Sequence, residues 1–181
     1  MSSAPIRIVT DTTAALPLEY ARAHQIEIVS QIVNFGAESF LEGVTLEYAE
    51  FIQRLKASPQ LPKTAAPQPG DLIEAYRKQL ADASTILSIH PSSEVSGTVR
   101  SALTAKNDAF PAADIRVLDS RLVAGNLASM VIAATEWVEW GVDAERIVTR
   151  LQKMIPRGRI YFLVATLNTC REAGASAARP L

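Results

Sequence analysis

Thr85-Ile86-Leu87-Ser88-Ile89 is stopped by Pro91-Ser92-Ser93, followed by apolar residues at Val95, Val99, Ala102 and Ala105, and then by Ile115-Arg116-Val117-Leu118. The two β-branched runs read as strands, and the apolar spacing between them predicts a helix from Val95 to Ala109. The same alternation extends outward in both directions. Towards the N-terminus, Ile6-Arg7-Ile8-Val9 predicts a first strand that runs into the turn-forming Thr10-Asp11-Thr12-Thr13, and Pro17 opens a short helix from Leu18 to His24. Ile26 to Phe35 predicts a second strand, and Leu46, Ala49, Ile52 and Leu55 share one face of a helix ending at Lys56. Ser58 to Pro69, with Pro59, Pro62, Pro67 and Pro69, reads as a loop before a helix from Leu72 to Leu80 that Gly70-Asp71 opens. Towards the C-terminus, helices from Leu122 and from Asp143 to Met154 precede a strand from Ile160 to Ala165. Alternating strands and helices predict an α/β fold, a mostly parallel β-sheet flanked by helices on both faces.

The 181 residues, 48% hydrophobic and 20% charged, suit one globular domain with a sizeable core. Lys and Arg total 18 against 19 Asp and Glu, without a basic stripe, so no nucleic-acid partner is expected. The longest apolar region, Leu122 to Val138, is interrupted by Asn126, Ser129 and Glu136 and falls short of the roughly 20 apolar residues of a bilayer span, so no transmembrane segment is expected. A single Cys170 and a start, Met1-Ser2-Ser3-Ala4-Pro5, without the charged and apolar regions of a signal peptide lead to the expectation of a cytoplasmic protein.

In an open parallel sheet, ligands collect where strands end and helices begin. The loops at those ends are Thr10 to Thr13, Lys63 to Pro67, His90 to Thr98 and Asp119-Ser120, and hydroxyls dominate them. Ser92, Ser93 and Ser96 precede or enter a helix N-terminus, where unpaired N–H groups favour an anion, although serines there also serve as plain caps. The loop holds no Lys or Arg and lacks the Gly-x4-Gly-Lys-Ser/Thr pattern, which favours a monocarboxylate over a phosphate. A rival reading is a small-molecule hydrolase or phosphoryl-handling enzyme built on residues 92–98, with His90 as base beside Ser92 or Ser93, but the Gly-x-Ser-x-Gly elbow is missing. His24, His90 and Cys170 are dispersed, so no metal or cofactor is expected. Asp11 and Asp119 both end strands and could meet, with capping of the following turns as the simpler role for each.

Several blocks in order resemble the DegV family: Ile8-Val9-Thr10-Asp11-Thr12 with Leu16-Pro17, Val33-Asn34-Phe35-Gly36 with Glu42-Gly43, and Lys63-Thr64-Ala65-Ala66-Pro67 with Gly70-Asp71. Ser92-Ser93-Glu94-Val95-Ser96-Gly97-Thr98 is similar to that family's Ser-Ser-x-Leu-Ser-Gly-Thr signature, and Val117-Leu118-Asp119-Ser120 to its Val-Ile-Asp-Ser strand end. The resemblance implies a fatty-acid-binding protein, not an enzyme, that holds one long-chain fatty acid by its carboxylate, with the tail in an apolar tunnel, and presents it to a separate fatty acid kinase subunit. It implies Thr64 and Ser93 as the foremost carboxylate ligands, then Ser96 and Ser92. Ala65 stands where the family has a serine. The resemblance runs from residue 6 to Leu167, so residues 1–167 are expected to form the lipid-binding domain. Residues 168–181 are expected to diverge as a truncated or frameshifted tail, without the family's Gly-Gly-Arg-Ile-Gly stretch and second domain. The shifted frame of suitable codons for Asn168 to Ala178 would restore that stretch.

Overall fold

The computed structural model describes residues 5–161. The tail from residue 168, Cys170 and residues 162–165 of the expected last strand lie outside the described residues, and Ile160 and Tyr161 are not in a strand.

Among the described residues four strands form a parallel sheet: β1 (Ile6–Asp11), β2 (Glu27–Val29), β6 (Thr85–His90) and β7 (Asp114–Asp119), in the order β2-β1-β6-β7. Register pairs Ile8 with Leu87, and Leu87 with Arg116. Alternate residues of each strand serve opposite faces, as the pleat requires. Ile8, Leu87, Ile89 and Leu118 pack under α5 (Ala124–Glu139) and α6 (Ala144–Met154), against Leu127, Met130, Val131, Ile147 and Leu151. Val9, Ile86 and Ile115 face the other way, against Leu72 and Tyr76 of α3 (Pro69–Leu80) and Ala102 and Ala105 of α4 (Thr98–Ala109). The central strand β6 is buried throughout, and each fully buried Leu or Ile contributes about 1.5–3 kcal/mol. The expected parallel sheet with helices on both faces is present.

A second, antiparallel sheet was not foreseen. It has the order β4-β3-β5, from β3 (Ile32–Phe35), β4 (Glu38–Leu41) and β5 (Lys63–Ala65). The run from Ile26 to Phe35 is therefore two strands in two sheets. The break falls at Ser30-Gln31, where Gln31 is buried but bonds outside both ladders: its N–H donates to Thr12 Oγ1 and its carbonyl accepts from Glu42 N–H. The stretch expected to be a loop at Lys63 to Ala65 pairs antiparallel with β3, Val33 opposite Thr64. The flanking prolines confine it to three residues at a sheet edge, the place where strands tolerate such neighbours.

The short helix after Pro17 is α1 (Leu18–Ala23), close to its expected span, but other helix starts moved. α3 begins at Pro69, not Leu72, because Asp71 accepts the Gln68 N–H and Pro69 needs no donor in the first turn. α2 (Tyr48–Ala57) buries none of its residues, and Leu46, expected on its apolar face, is buried ahead of it. α4 begins at Thr98, not Val95: Val95 is 72% exposed, and Ser92 to Gly97 form a turn in which the Ser92 carbonyl accepts from Val95 and Ser96 N–H. Among the described residues no helix is long and apolar enough to cross a membrane.

Candidate functional site

The strand ends of β1, β6 and β7 share one edge of the main sheet, and β5 brings the Thr64 segment to it. The two meet at Gly97, where an added Cβ would lie 3.5 Å from Ala66 Cβ. The segment that follows Thr64 thus lies within van der Waals reach of the serine loop. Thr64 is exposed, and among the described residues its hydroxyl makes no hydrogen bond. A cleft of about 640 Å³ lies beside β5 with Phe35, Leu61 and Lys63 in its wall but not Thr64, as expected for successive residues of one strand.

The three serines are not equivalent. Ser92 is buried; its hydroxyl accepts from Glu94 N–H and its N–H donates to the Leu122 carbonyl, so it holds the turn together and is the least available as a ligand. Ser93 is exposed, but its hydroxyl donates to Asp119 Oδ2 at 2.6 Å while its N–H donates to Oδ1 at 3.2 Å. A hydroxyl has one hydrogen. Ser93 must therefore leave Asp119 before it can donate to a ligand. Burial opposes ionisation of Asp119, but the bonds from Ser93 and Arg121 N–H and the Arg121 charge outweigh it and hold the carboxyl below its ordinary value.

Ser96 is the best placed of the three. Its oxygen accepts from Thr98 N–H and lies 2.8 Å from Thr98 Oγ1, which in turn accepts from Gln31 Nε2 at 3.0 Å. When Thr98 donates its hydroxyl hydrogen to Ser96, the hydrogen of Ser96 is free for a ligand. Gln31 is itself fixed by Asp11 Oδ1, 3.0 Å from the same Nε2. No motif pointed to Gln31; its position between two apolar runs was the available signal.

Behind this lies a buried relay on the α3/α4 side of the sheet. Tyr76 Oη is 2.6 Å from Ser88 Oγ, which is 2.6 Å from His90 Nε2, and His90 Nδ1 is 2.7 Å from Asp11 Oδ2. Tyr76, Ser88, His90 and Asp11 are all 0% exposed. Asp11 also accepts from Thr13 N–H, the cap foreseen for it. Burial opposes its ionisation, but the hydrogen bonds from His90, Thr13 and Gln31 prevail, so its carboxyl titrates below its ordinary value. Burial pushes the Tyr76 phenol up to about 12.

These contacts count against two alternatives the sequence left open. His90 is bonded to Asp11 and Ser88, not to Ser92 or Ser93, so the base the hydrolase reading needs is turned away from the serine loop. Asp, His and Ser do stand in triad order, but Ser88 is sealed in the core with its oxygen against Tyr76, where no substrate reaches it. Asp11 and Asp119 do not meet either, because β6 and His90 stand between them.

The family described as uncharacterised proteins of the DegV family matches residues 5–175. A DegV domain-containing protein of Clostridium perfringens is 36% identical over 140 residues, 77% of this chain and 50% of the relative. Among solved structures, a DegV family protein from Thermus thermophilus described by its fatty-acid binding aligns with TM-score 0.83 and 29% identity, over 94% of this chain and 60% of that one. DegV of Bacillus subtilis, described as a fatty acid binding protein, aligns with TM-score 0.78 and 30% identity, over 85% and 55%. The chain thus spans between half and three-fifths of the length of these relatives.

Proposed function

This chain belongs to the DegV family, and on that premise we propose that it holds a fatty acid by its carboxylate head group. The acid's carboxylate lies in the seam between Thr64 and Ser96 and is not chemically altered there. The supporting observation is the approach of the two hydroxyl-bearing segments at Gly97, with Ala66 two residues from Thr64 on one side and the Gln31-backed Ser96 next to Gly97 on the other. Two neutral donors suit a monocarboxylate, whose single charge needs fewer partners than a phosphate. Ser93 joins when it is released from Asp119, and Ser92 supports the loop. The acyl chain is long, and the loaded protein offers the carboxylate to a separate kinase subunit in the cytoplasm. Residues 1–167 form the binding domain in this reading.

Calorimetric titration with hexadecanoate tests it. Thr64→Ala and Ser96→Ala should each weaken binding about tenfold, one hydrogen bond to a charged group, while Ser92→Ala acts mainly on stability. Equal affinity in all three variants would overturn the assignment.

A further inference from the structure

The serine loop itself holds no Lys or Arg, yet the fold brings one to it. Arg100 is the third residue of α4, and helical side chains lean towards the N-terminus of their helix. Its Nη2 lies 3.5 Å from the position a Cβ on Gly97 would take, the same position that is 3.5 Å from Ala66 Cβ. The guanidinium therefore lies beside the seam between the Thr64 segment and the serine loop. Among the described residues it makes neither an ion pair nor a side-chain hydrogen bond, as is also true of Arg7, Arg22 and Arg157, whereas Arg54, Arg77, Arg116, Arg121 and Arg146 each rest on a carboxylate. The first turn of α4 has no acidic residue, so this charge also sits against the helix dipole without compensation.

We infer that Arg100 is the charge partner of the bound head group and sets the preference of the site for an ionised acid over a neutral lipid. The inference rests on the carboxylate reading of the seam. A guanidinium presents parallel N–H donors that match the two oxygens of a carboxylate, and in this reading Thr64 of β5 and Ser96 of the serine loop approach the same head group. An uncharged hydroxyl head group would use the same two hydroxyl residues but gain little from Arg100. The seam then discriminates between hexadecanoate and hexadecan-1-ol by charge.

The test compares wild type, Arg100→Gln and Arg100→Lys for binding of hexadecanoate and of hexadecan-1-ol by displacement of a fluorescent probe, with circular dichroism to confirm folding. Arg100→Gln should lose about tenfold in affinity for the acid, one charge-assisted hydrogen bond, and keep its affinity for the alcohol. Arg100→Lys should recover part of the loss, and added salt should weaken acid binding by wild type more than by Arg100→Gln. An unchanged ratio of acid to alcohol affinity in Arg100→Gln would overturn the role of Arg100 and leave the seam assignment standing. Wild type that binds neither lipid would overturn the seam assignment and this inference with it.

Discussion

Asp11→Asn tests the buried relay most sharply, because the hydrogens in it can be counted. With a single ring proton on His90, at Nδ1, Tyr76, Ser88 and His90 offer one hydrogen each, and all three can point towards Asp11: Tyr76 to Ser88, Ser88 to His90 Nε2, His90 Nδ1 to the carboxylate. The amide in the variant would keep its oxygen where Gln31 and Thr13 donate, since the opposite orientation sets an NH2 group against two donors. Its NH2 then faces His90 Nδ1 and needs an acceptor there. The ring must shift to the Nε2–H tautomer, Ser88 must turn its hydrogen to Tyr76, and the Tyr76 hydroxyl is left with a hydrogen and no partner in a site that is 0% exposed. A stranded buried hydroxyl costs about 1–3 kcal/mol, and bonds to a neutral amide are worth less than those to a charge. Relief from burying the charge offsets part of this, so the net loss should be about 2–4 kcal/mol, a large share of the roughly 5–15 kcal/mol of a typical domain. Urea denaturation with linear extrapolation measures it, and the ring 15N shifts of His90 report the tautomer, with half-exposed His24 as reference. A variant within about 0.5 kcal/mol of wild type, or a His90 that keeps its proton on Nδ1, would refute the directional relay.

Asp119→Asn should tighten hexadecanoate binding by about threefold to tenfold, because the amide NH2 can donate to Ser93 Oγ and free its hydrogen while a nearby negative charge is removed; unchanged or weaker binding in titration would show that Asp119 does not restrain Ser93. Stability should also be acid-sensitive. Asp11, Asp114 and Asp119 all have carboxyls held below their ordinary value, so their contribution is complete above the unfolded-state pKa of about 4 and is lost as pH falls through the lower folded values. Urea midpoints from about pH 7 down to about pH 2.5 should fall mainly below about pH 4, and Asp11→Asn should show a shallower fall; parallel profiles would contradict the assignment.

The parallel sheet was legible because three of its four strands are β-branched runs bounded by turn residues, from Ile6-Arg7-Ile8-Val9 to Ile115-Arg116-Val117-Leu118. The small antiparallel sheet was not, for opposite reasons at its two ends. Ile26 to Phe35 is apolar enough to hide its break, because Gln31 looks like an ordinary polar residue until its amide is seen between Asp11 and Thr98. Lys63 to Ala65 is so surrounded by proline that composition argues for a loop. Val95 fits helical spacing yet is exposed, since the Ser96 hydroxyl takes the Thr98 N–H and the helix starts after it. Within the site, residue type identified the hydroxyl loops but not their ranking. That depends on which hydrogen each serine has already committed, as Ser93 has to Asp119. The relay left a partial trace: Ser88 and His90 are two apart on one strand, hence on one face, but their link to Asp11 and Tyr76 needed the fold.

The central claim, a seam that holds a fatty acid without altering it, is tested most directly by mass spectrometry of the 181-residue chain purified gently and without added lipid. The account predicts one intact free fatty acid per chain, lost or depleted in the Thr64→Ala, Ser96→Ala double variant. A chain that carries no acyl group, and instead hydrolyses an ester with activity that disappears in Ser93→Ala, would contradict it.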